Sequence, residues 1–143
     1  MKFTRKEFGK VHVEMRFVSG ENENSDGLGK FLAWARPPIF GGDIFFDDEN
    51  WSLDSHNTFY SRYFRQPNLL KVATHEVGHA VGINHSKKTR ALMAAGASLS
   101  LVGAVGLDID DIQAIQALYG APGQPRPQVE DLKEVDIETG SFG

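Results

Sequence analysis

Alternation of apolar and polar residues near the N-terminus predicts the first β-strand. Every second residue there is apolar, the period-two pattern of a half-buried strand, and these residues are Val11, Val13, Met15 and Phe17. Two further short apolar stretches, residues 31–35 and 43–46, are bounded by proline or glycine and also predict strands. The polar, glycine-rich stretch between residues 19 and 29 is expected to be a loop.

A longer apolar pattern in the middle of the chain predicts a helix over residues 69–81. Asn68 precedes it and is a favourable N-cap residue, since its side chain accepts a hydrogen bond from a free amide of the first turn. Gly82 follows it, and glycine commonly ends a helix in a left-handed conformation.

A second helix is predicted to begin near Asp108 and to stop at Gly120. Asp110 and Asp111 lie in its first turn, where negative charge complements the helix dipole. Its expected buried stripe consists of Ile112, Ile115 and Tyr119.

The composition favours a single globular domain. The chain has 143 residues, of which 41% are hydrophobic and 24% charged. We expect one domain over residues 1–120, acting as a monomer, and a proline-rich, acidic and disordered tail over residues 121–143.

A formal charge of −4 argues against nucleic-acid binding, and no stretch is apolar enough to span a membrane. The chain lacks cysteine, and its first ten residues lack the apolar core of a signal peptide.

The segment from His75 to His85 predicts a zinc site with an adjacent general base. His75 and His79 lie four residues apart, so both imidazoles leave the same face of a helix. A turn at Gly82 would return the chain so that His85 supplies a third nitrogen. Three protein ligands leave one tetrahedral position open, as in catalytic zinc sites. Glu76 lies where its carboxylate would reach a water held by the metal.

Two features of this segment have simpler interpretations. Two histidines on a buried helix could be core residues with satisfied hydrogen bonds, in which case the protein would hold no stoichiometric metal. A methionine in an apolar run is ordinarily core filling. Met93 lies eight residues past His85, however. At that distance we interpret it as part of a turn under the zinc, where its side chain forms the hydrophobic floor of the site and is not a ligand.

Together these residues resemble the catalytic domain of the matrix metalloproteinases, the matrixins. The strongest matches are residues 72–86, 91–93 and 107–120, and weaker ones are 26–29, 32–35 and 42–48. The resemblance implies an α+β, zincin-like fold in which a twisted mixed sheet packs on an active-site helix and a C-terminal helix. It also implies an extracellular metalloendopeptidase that cleaves peptide bonds in proteins of the extracellular matrix. The backbone of Leu32 and Ala33 would pair with an extended substrate.

The resemblance further implies a calcium site. In the family an Asp-Gly-x-Gly loop and the acidic end of the next strand hold one calcium ion. The corresponding oxygen donors are the side chains of Asp26, Asp47 and Glu49 and the carbonyls of Gly27, Gly29 and Phe31. The alternative is a solvated acidic turn without a metal.

Two departures from the family change the expectations. Matrixins usually carry a second, structural zinc, but Trp34 and Phe45 stand at two of its histidine positions, so we predict that this zinc is absent. The central strand and long helix that normally precede the segment matching Phe3 are also missing, which predicts an N-terminally truncated domain. The competing hypothesis to a peptidase is therefore a catalytically inactive, zinc-binding fragment that acts as an interaction module.

Overall fold

Three strands and two helices make up the described part of the fold. The computed structural model describes residues 3–7, 9–18, 32–48, 51–53, 67–95 and 105–125. Its elements are β1 (Met15–Val18), β2 (Ala33–Ala35), a 3-10 turn (Pro38–Phe40), β3 (Ile44–Asp47), α1 (Leu69–Ala80) and α2 (Ile109–Tyr119). The predicted α+β class is confirmed.

The three strands form one mixed sheet in the order β1-β3-β2. β1 runs parallel to β3 and places Met15 opposite Ile44. β2 runs antiparallel to β3 and places Trp34 opposite Phe45. Within the described residues, β3 is therefore the central strand and β2 lies at an edge.

Helix α1 packs on one face of this sheet, mainly over β2 and β3. The buried centre of the core consists of Ile44 and Phe46 from β3 and Ala80 from α1. Partly buried residues pack around it, namely Val13, Ala33, Ala35, Trp51, Leu69, Ala73 and Val77. Removal of these apolar groups from water holds the helix on the sheet.

The structure corrects the prediction for β1. The strand begins at Met15, and the two side chains expected to be half-buried, Met15 and Phe17, are each 54% exposed. The ring of Phe17 contacts Phe46 of β3 at a centroid distance of 5.4 Å. Because α1 lies over β2 and β3, it leaves this face of β1 uncovered.

Helix α1 begins at Leu69, as the sequence predicts, and ends at Ala80, one residue before the predicted end. The Asn68 side chain accepts a hydrogen bond from the Lys71 amide at 2.9 Å. At the other end Gly82 has a φ of 97°. The Gly82 amide donates to the His79 carbonyl and the Ile83 amide to the Gly78 carbonyl, each at 2.9 Å. This bond pair is a Schellman motif, which requires the left-handed conformation that glycine adopts without strain.

Helix α2 is capped as predicted, but its packing differs. Asp108 is the N-cap residue and forms a capping box with Asp111. The expected stripe is only partly buried, and Asp111 is the one residue of α2 that is fully buried. At the C-terminal end, the Tyr119 hydroxyl donates to the Val81 carbonyl at 2.9 Å, which ties α2 to the end of α1. The stripe remains half-exposed because α2 packs against loops and helix ends.

Two predictions concern the remaining chain. No helix among the described residues is long and apolar enough to cross a membrane. Residues 126–143 lie outside the described residues, so the disordered tail stays a prediction.

Replacing Asn68 with alanine should lower the free energy of unfolding by about 1 kcal/mol, because the Lys71 amide would lose its acceptor. Denaturant unfolding monitored by circular dichroism measures this loss. Asn68→Ser is the matched control, since a serine hydroxyl can also cap, and it should retain most of the stability. Equal losses in the two variants would contradict the capping role.

Candidate metal centre

Three imidazoles converge at the C-terminal end of α1. The Nε2 atom of His79 lies 3.1 Å from Nε2 of His75 and 3.1 Å from Nε2 of His85. Tetrahedral zinc with bonds of about 2.0 to 2.1 Å separates two nitrogen ligands by roughly 3.3 Å. Both distances are thus within a few tenths of an ångström of the spacing that a shared zinc ion requires. These residues fit zinc by their chemistry and by their spacing.

Backbone carbonyls fix the tautomers of two of these rings. Nδ1 of His75 donates to the Leu92 carbonyl at 2.7 Å, and Nδ1 of His79 donates to the Ile83 carbonyl at 2.8 Å. A carbonyl oxygen only accepts hydrogen bonds, so Nδ1 must carry the proton in both rings. The lone pair of each Nε2 is therefore left for a metal ion.

Burial keeps these rings in the neutral form that binds metals. Desolvation lowers the pKa of His79 to about 4, although its bond to Ile83 acts in the opposite direction. The pKa of His75 is also lowered by burial, against the effect of the Leu92 carbonyl. Both histidines are consequently deprotonated at neutral pH. His85, by contrast, is exposed, which leaves the cluster open to solvent on its side.

Glu76 lies next to His75 on α1 and is only 6% exposed. Burial raises the pKa of Glu76 to about 7. A carboxylate with a pKa in this range accepts a proton more readily than an ordinary surface glutamate does.

Met93 packs directly against the helix that carries the histidines. It is 2% exposed, and its side chain lies over Gly78. A Cβ atom on Gly78 would come within 2.9 Å of the Met93 Cε and closer still to its sulfur. Glycine at this position therefore permits the close approach of the turn at residues 91–94 to α1.

Ser86 holds the segment that carries the third imidazole. Its amide donates to the Met93 carbonyl at 2.7 Å, and its hydroxyl donates to the Asp110 carboxylate at 2.5 Å. The Ser86 hydroxyl oxygen also accepts from the Lys88 amide at 2.9 Å. These bonds connect the residue after His85 to the turn at residues 91–94, called the methionine turn below, and to α2.

Most of the calcium residues inferred from the resemblance lie outside the described residues: Asp26, Gly27, Gly29, Phe31 and Glu49. Asp47 is described and buried, and its Oδ1 accepts from the Asp48 amide at 2.9 Å. The calcium site stays a prediction.

The residues predicted to pair with a substrate, Leu32 and Ala33, lie just before and at the start of β2, and they differ in their bonding. The Leu32 carbonyl already accepts from the Asp47 amide of β3 at 2.9 Å. Antiparallel strands direct the polar groups of successive residues to opposite sides. Ala33 therefore directs its amide and carbonyl towards the outer edge of the sheet, where an added strand would pair.

Trp34 and Phe45, the residues from which we predict that a second zinc is absent, pack on each other. Their rings stack at a centroid distance of 5.2 Å and an interplanar angle of 16°. The guanidinium groups of Arg16 and Arg36 lie 4.9 and 5.3 Å from the Phe45 centroid. Aromatic stacking and cation–π contacts thus link all three strands at this position.

Comparison with known proteins agrees with this geometry. A family model described as Matrixin matches residues 1–120. The chain belongs to the matrixin family. It is 44% identical over 122 residues to human matrix metalloproteinase-15, an alignment covering 80% of this chain and 17% of the relative. Bovine interstitial collagenase is 38% identical over 143 residues, covering 92% of the chain and 28% of the relative. Rabbit macrophage metalloelastase is 36% identical over 133 residues, covering 89% and 27%.

This matrixin chain spans less than a third of the length of these relatives. Membership of the family implies a catalytic zinc, and the three histidines supply a donor set that suits it.

The sequence pattern does not indicate the contacts that Ser86 and Asp111 make at this matrixin site. Ser86 follows His85 in an ordinary polar turn, and nothing in its neighbours indicates the bond to Asp110. Asp111 was interpreted only as a charge that complements the helix dipole. The one available signal was the Asp-x-x-Asp spacing from Asp108, which indicates a capping box but not the contacts with the methionine turn.

Replacing Gly78 with alanine should destabilise the protein by about 1 to 3 kcal/mol, because the new methyl group overlaps the buried Met93 side chain. In an unhindered helix the same change would stabilise by about 1 kcal/mol. Urea unfolding of the metal-free protein measures the difference.

The matched background is Met93→Ala, which removes the obstructing side chain. There the Gly78→Ala change should be neutral or stabilising. An equal loss in both backgrounds would show that Met93 is not the obstacle.

Proposed function

We propose that this matrixin domain is a zinc-dependent endopeptidase, with His75, His79 and His85 as the zinc ligands and Glu76 as the general base. The observation that carries the proposal is the convergence of three Nε2 atoms, two of them on rings whose Nδ1 protons are already donated to carbonyls. The proposed domain comprises residues 1–120, followed by a tail over residues 121–143.

The chemistry requires an electrophile and a base. Zinc at this site would supply a Lewis acid that polarises the scissile carbonyl. The Glu76 carboxylate takes the proton of the attacking water and then donates it to the leaving amine. In the metal-free protein burial raises the pKa of Glu76 to about 7, so its carboxylate is a stronger base than that of an exposed glutamate.

The proposed substrate is an extended segment of a protein chain. The outer edge of β2 offers backbone groups of Ala33 with which a substrate would pair as an added strand. The Leu32 carbonyl is engaged by β3, so Ala33 is the stronger candidate for this pairing. The names of the relatives, interstitial collagenase and macrophage metalloelastase, favour structural proteins of the extracellular matrix as substrates and an extracellular location.

A second candidate function is a zinc-loaded but inactive interaction module. The uncovered apolar face of β1, at Met15 and Phe17, favours this alternative because exposed apolar groups are typical of protein contact surfaces. Cleavage of a quenched fluorescent peptide separates the two candidates. Chelator-sensitive cleavage supports the peptidase, and a folded, zinc-loaded but inert protein supports the module.

Replacing Glu76 with glutamine should leave zinc content unchanged and reduce peptide cleavage by on the order of 10² to 10⁴-fold, because the amide cannot accept the proton. Zinc content by mass spectrometry and turnover of the fluorescent peptide provide the two measurements. Turnover at the wild-type rate would exclude Glu76 as the base.

The protein should bind one zinc ion per chain, since we propose that the Trp34–Phe45 stack takes the place of a second site. Metal analysis after dialysis against a weak chelator measures the ratio. His79→Ala should abolish the bound zinc, because it removes the nitrogen that lies between the other two. Two zinc ions in the wild type, or one remaining in His79→Ala, would contradict this assignment.

A further inference from the structure

The outer edge of β1 presents backbone groups that no described strand pairs with. β1 is bonded to β3 on one side, and within the described residues its other side has no neighbouring strand. The Glu14 carbonyl accepts from the Ile44 amide at 2.8 Å, and the Glu14 amide donates to the Asp43 carboxylate at 3.0 Å. Because successive residues of a strand direct their polar groups to opposite sides, Met15 and Phe17 direct theirs outwards. Such an edge is a template for another strand.

The side chains along this edge are apolar on one face of the sheet and charged on the other. Met15 and Phe17 lie on the face that α1 packs against, and each is 54% exposed. Glu14 and Arg16 lie on the opposite face, where their nearest charged atoms are 4.0 Å apart and both side chains are about half exposed. An exposed pair at this distance contributes little stability by itself. A strand added here would therefore bury apolar groups on one face and meet free charges on the other.

Hydrogen-bond direction and charge together select one way of pairing two copies of β1. In an antiparallel pair about a twofold axis, the bonded positions must be residues that direct their polar groups outwards, so the axis passes through a residue and not between two. An axis at Glu14 or at Arg16 would place like charges opposite each other, which is destabilising. Among axis residues from 13 to 17, only Met15 places Glu14 of each copy opposite Arg16 of the other.

We propose that two copies of this chain associate by antiparallel pairing of their β1 strands about a twofold axis at Met15. Phe17 of each copy then lies opposite Val13 of the other, an apolar residue that packs on the same core. The dimer replaces the monomer expected from the sequence. It goes beyond the proposed peptidase activity, because it needs no metal and leaves the β2 edge free. Since β1 has only four residues, the dimer should be weak and dissociate on dilution.

Charge reversal tests the pairing and its register. Sedimentation equilibrium of the purified chain up to about 1 mM should show a monomer and a dimer in equilibrium. Arg16→Glu places acidic groups opposite each other and should weaken the dimer by about tenfold or more. Adding Glu14→Arg restores opposite charges at both positions and should recover most of the affinity. A wild type that stays monomeric, or a double variant as weak as Arg16→Glu alone, would overturn the proposal.

Cysteine crosslinking locates the axis even if the charge variants fail to fold. The chain has no cysteine, so one introduced thiol can form a disulfide only with a second copy. Met15→Cys places two Cα atoms about 5.5 Å apart across the axis, which suits a disulfide. Phe17→Cys is the matched control, because Phe17 has the same exposure and face, but its two copies would lie roughly 14 Å apart along the strands.

Met15→Cys should crosslink on oxidation at least about tenfold faster than Phe17→Cys, because a disulfide requires Cα atoms closer than about 7 Å. Equal rates, or faster crosslinking of Phe17→Cys, would contradict an axis at Met15.

Hydrogen exchange distinguishes a second copy from another segment of the same chain. Protection of the Met15 and Phe17 amides should rise with protein concentration, as the dimer forms. Protection that persists in dilute protein would show that a different strand covers the edge, and the proposal would fail. A dimer that binds no zinc would refute the proposed peptidase and support this inference, so the two proposals fail independently.

Discussion

The constraint on which the site depends is the pair of hydrogen bonds from imidazole Nδ1 atoms to backbone carbonyls. The Leu92 carbonyl orients His75, and the Ile83 carbonyl orients His79. Without these acceptors each ring could rotate or adopt the other tautomer, and the three Nε2 lone pairs would not share one point. Both carbonyls are backbone groups, so the shape of two turns determines the donor geometry.

The rest of the described fold holds those two turns in place. The Schellman motif at Gly82 both ends α1 and brings the Ile83 carbonyl under His79. The turn containing Leu92 is held from two sides, by Met93 against Gly78 and by Asp111 of α2. The sheet carries α1 through the contacts of Ile44 and Phe46 with Ala80. The helices, the sheet and the turns thus together fix the position of the backbone around the proposed metal site.

Local sequence features were predictable, and features that depend on distant contacts were not. Asn68 and Gly82 define the ends of α1 because capping depends on adjacent residues alone. The spacing of His75 and His79 places both on one helix face for the same reason. The exposure of Met15 and Phe17 depends on which strands α1 covers, and a period-two pattern carries no such information. The burial of Asp111 likewise depends on a turn far from it in sequence. The residues next to Asp111 therefore indicate only the start of a helix.

Zinc X-ray absorption spectroscopy of the purified, zinc-loaded chain would show directly whether the three imidazoles bind one ion, because it reports the ligands around the ion itself. We expect three imidazole nitrogens at about 2.0 to 2.1 Å and one further oxygen ligand from solvent. A spectrum with two or fewer imidazoles would contradict this expectation, since the three rings would then not share one ion.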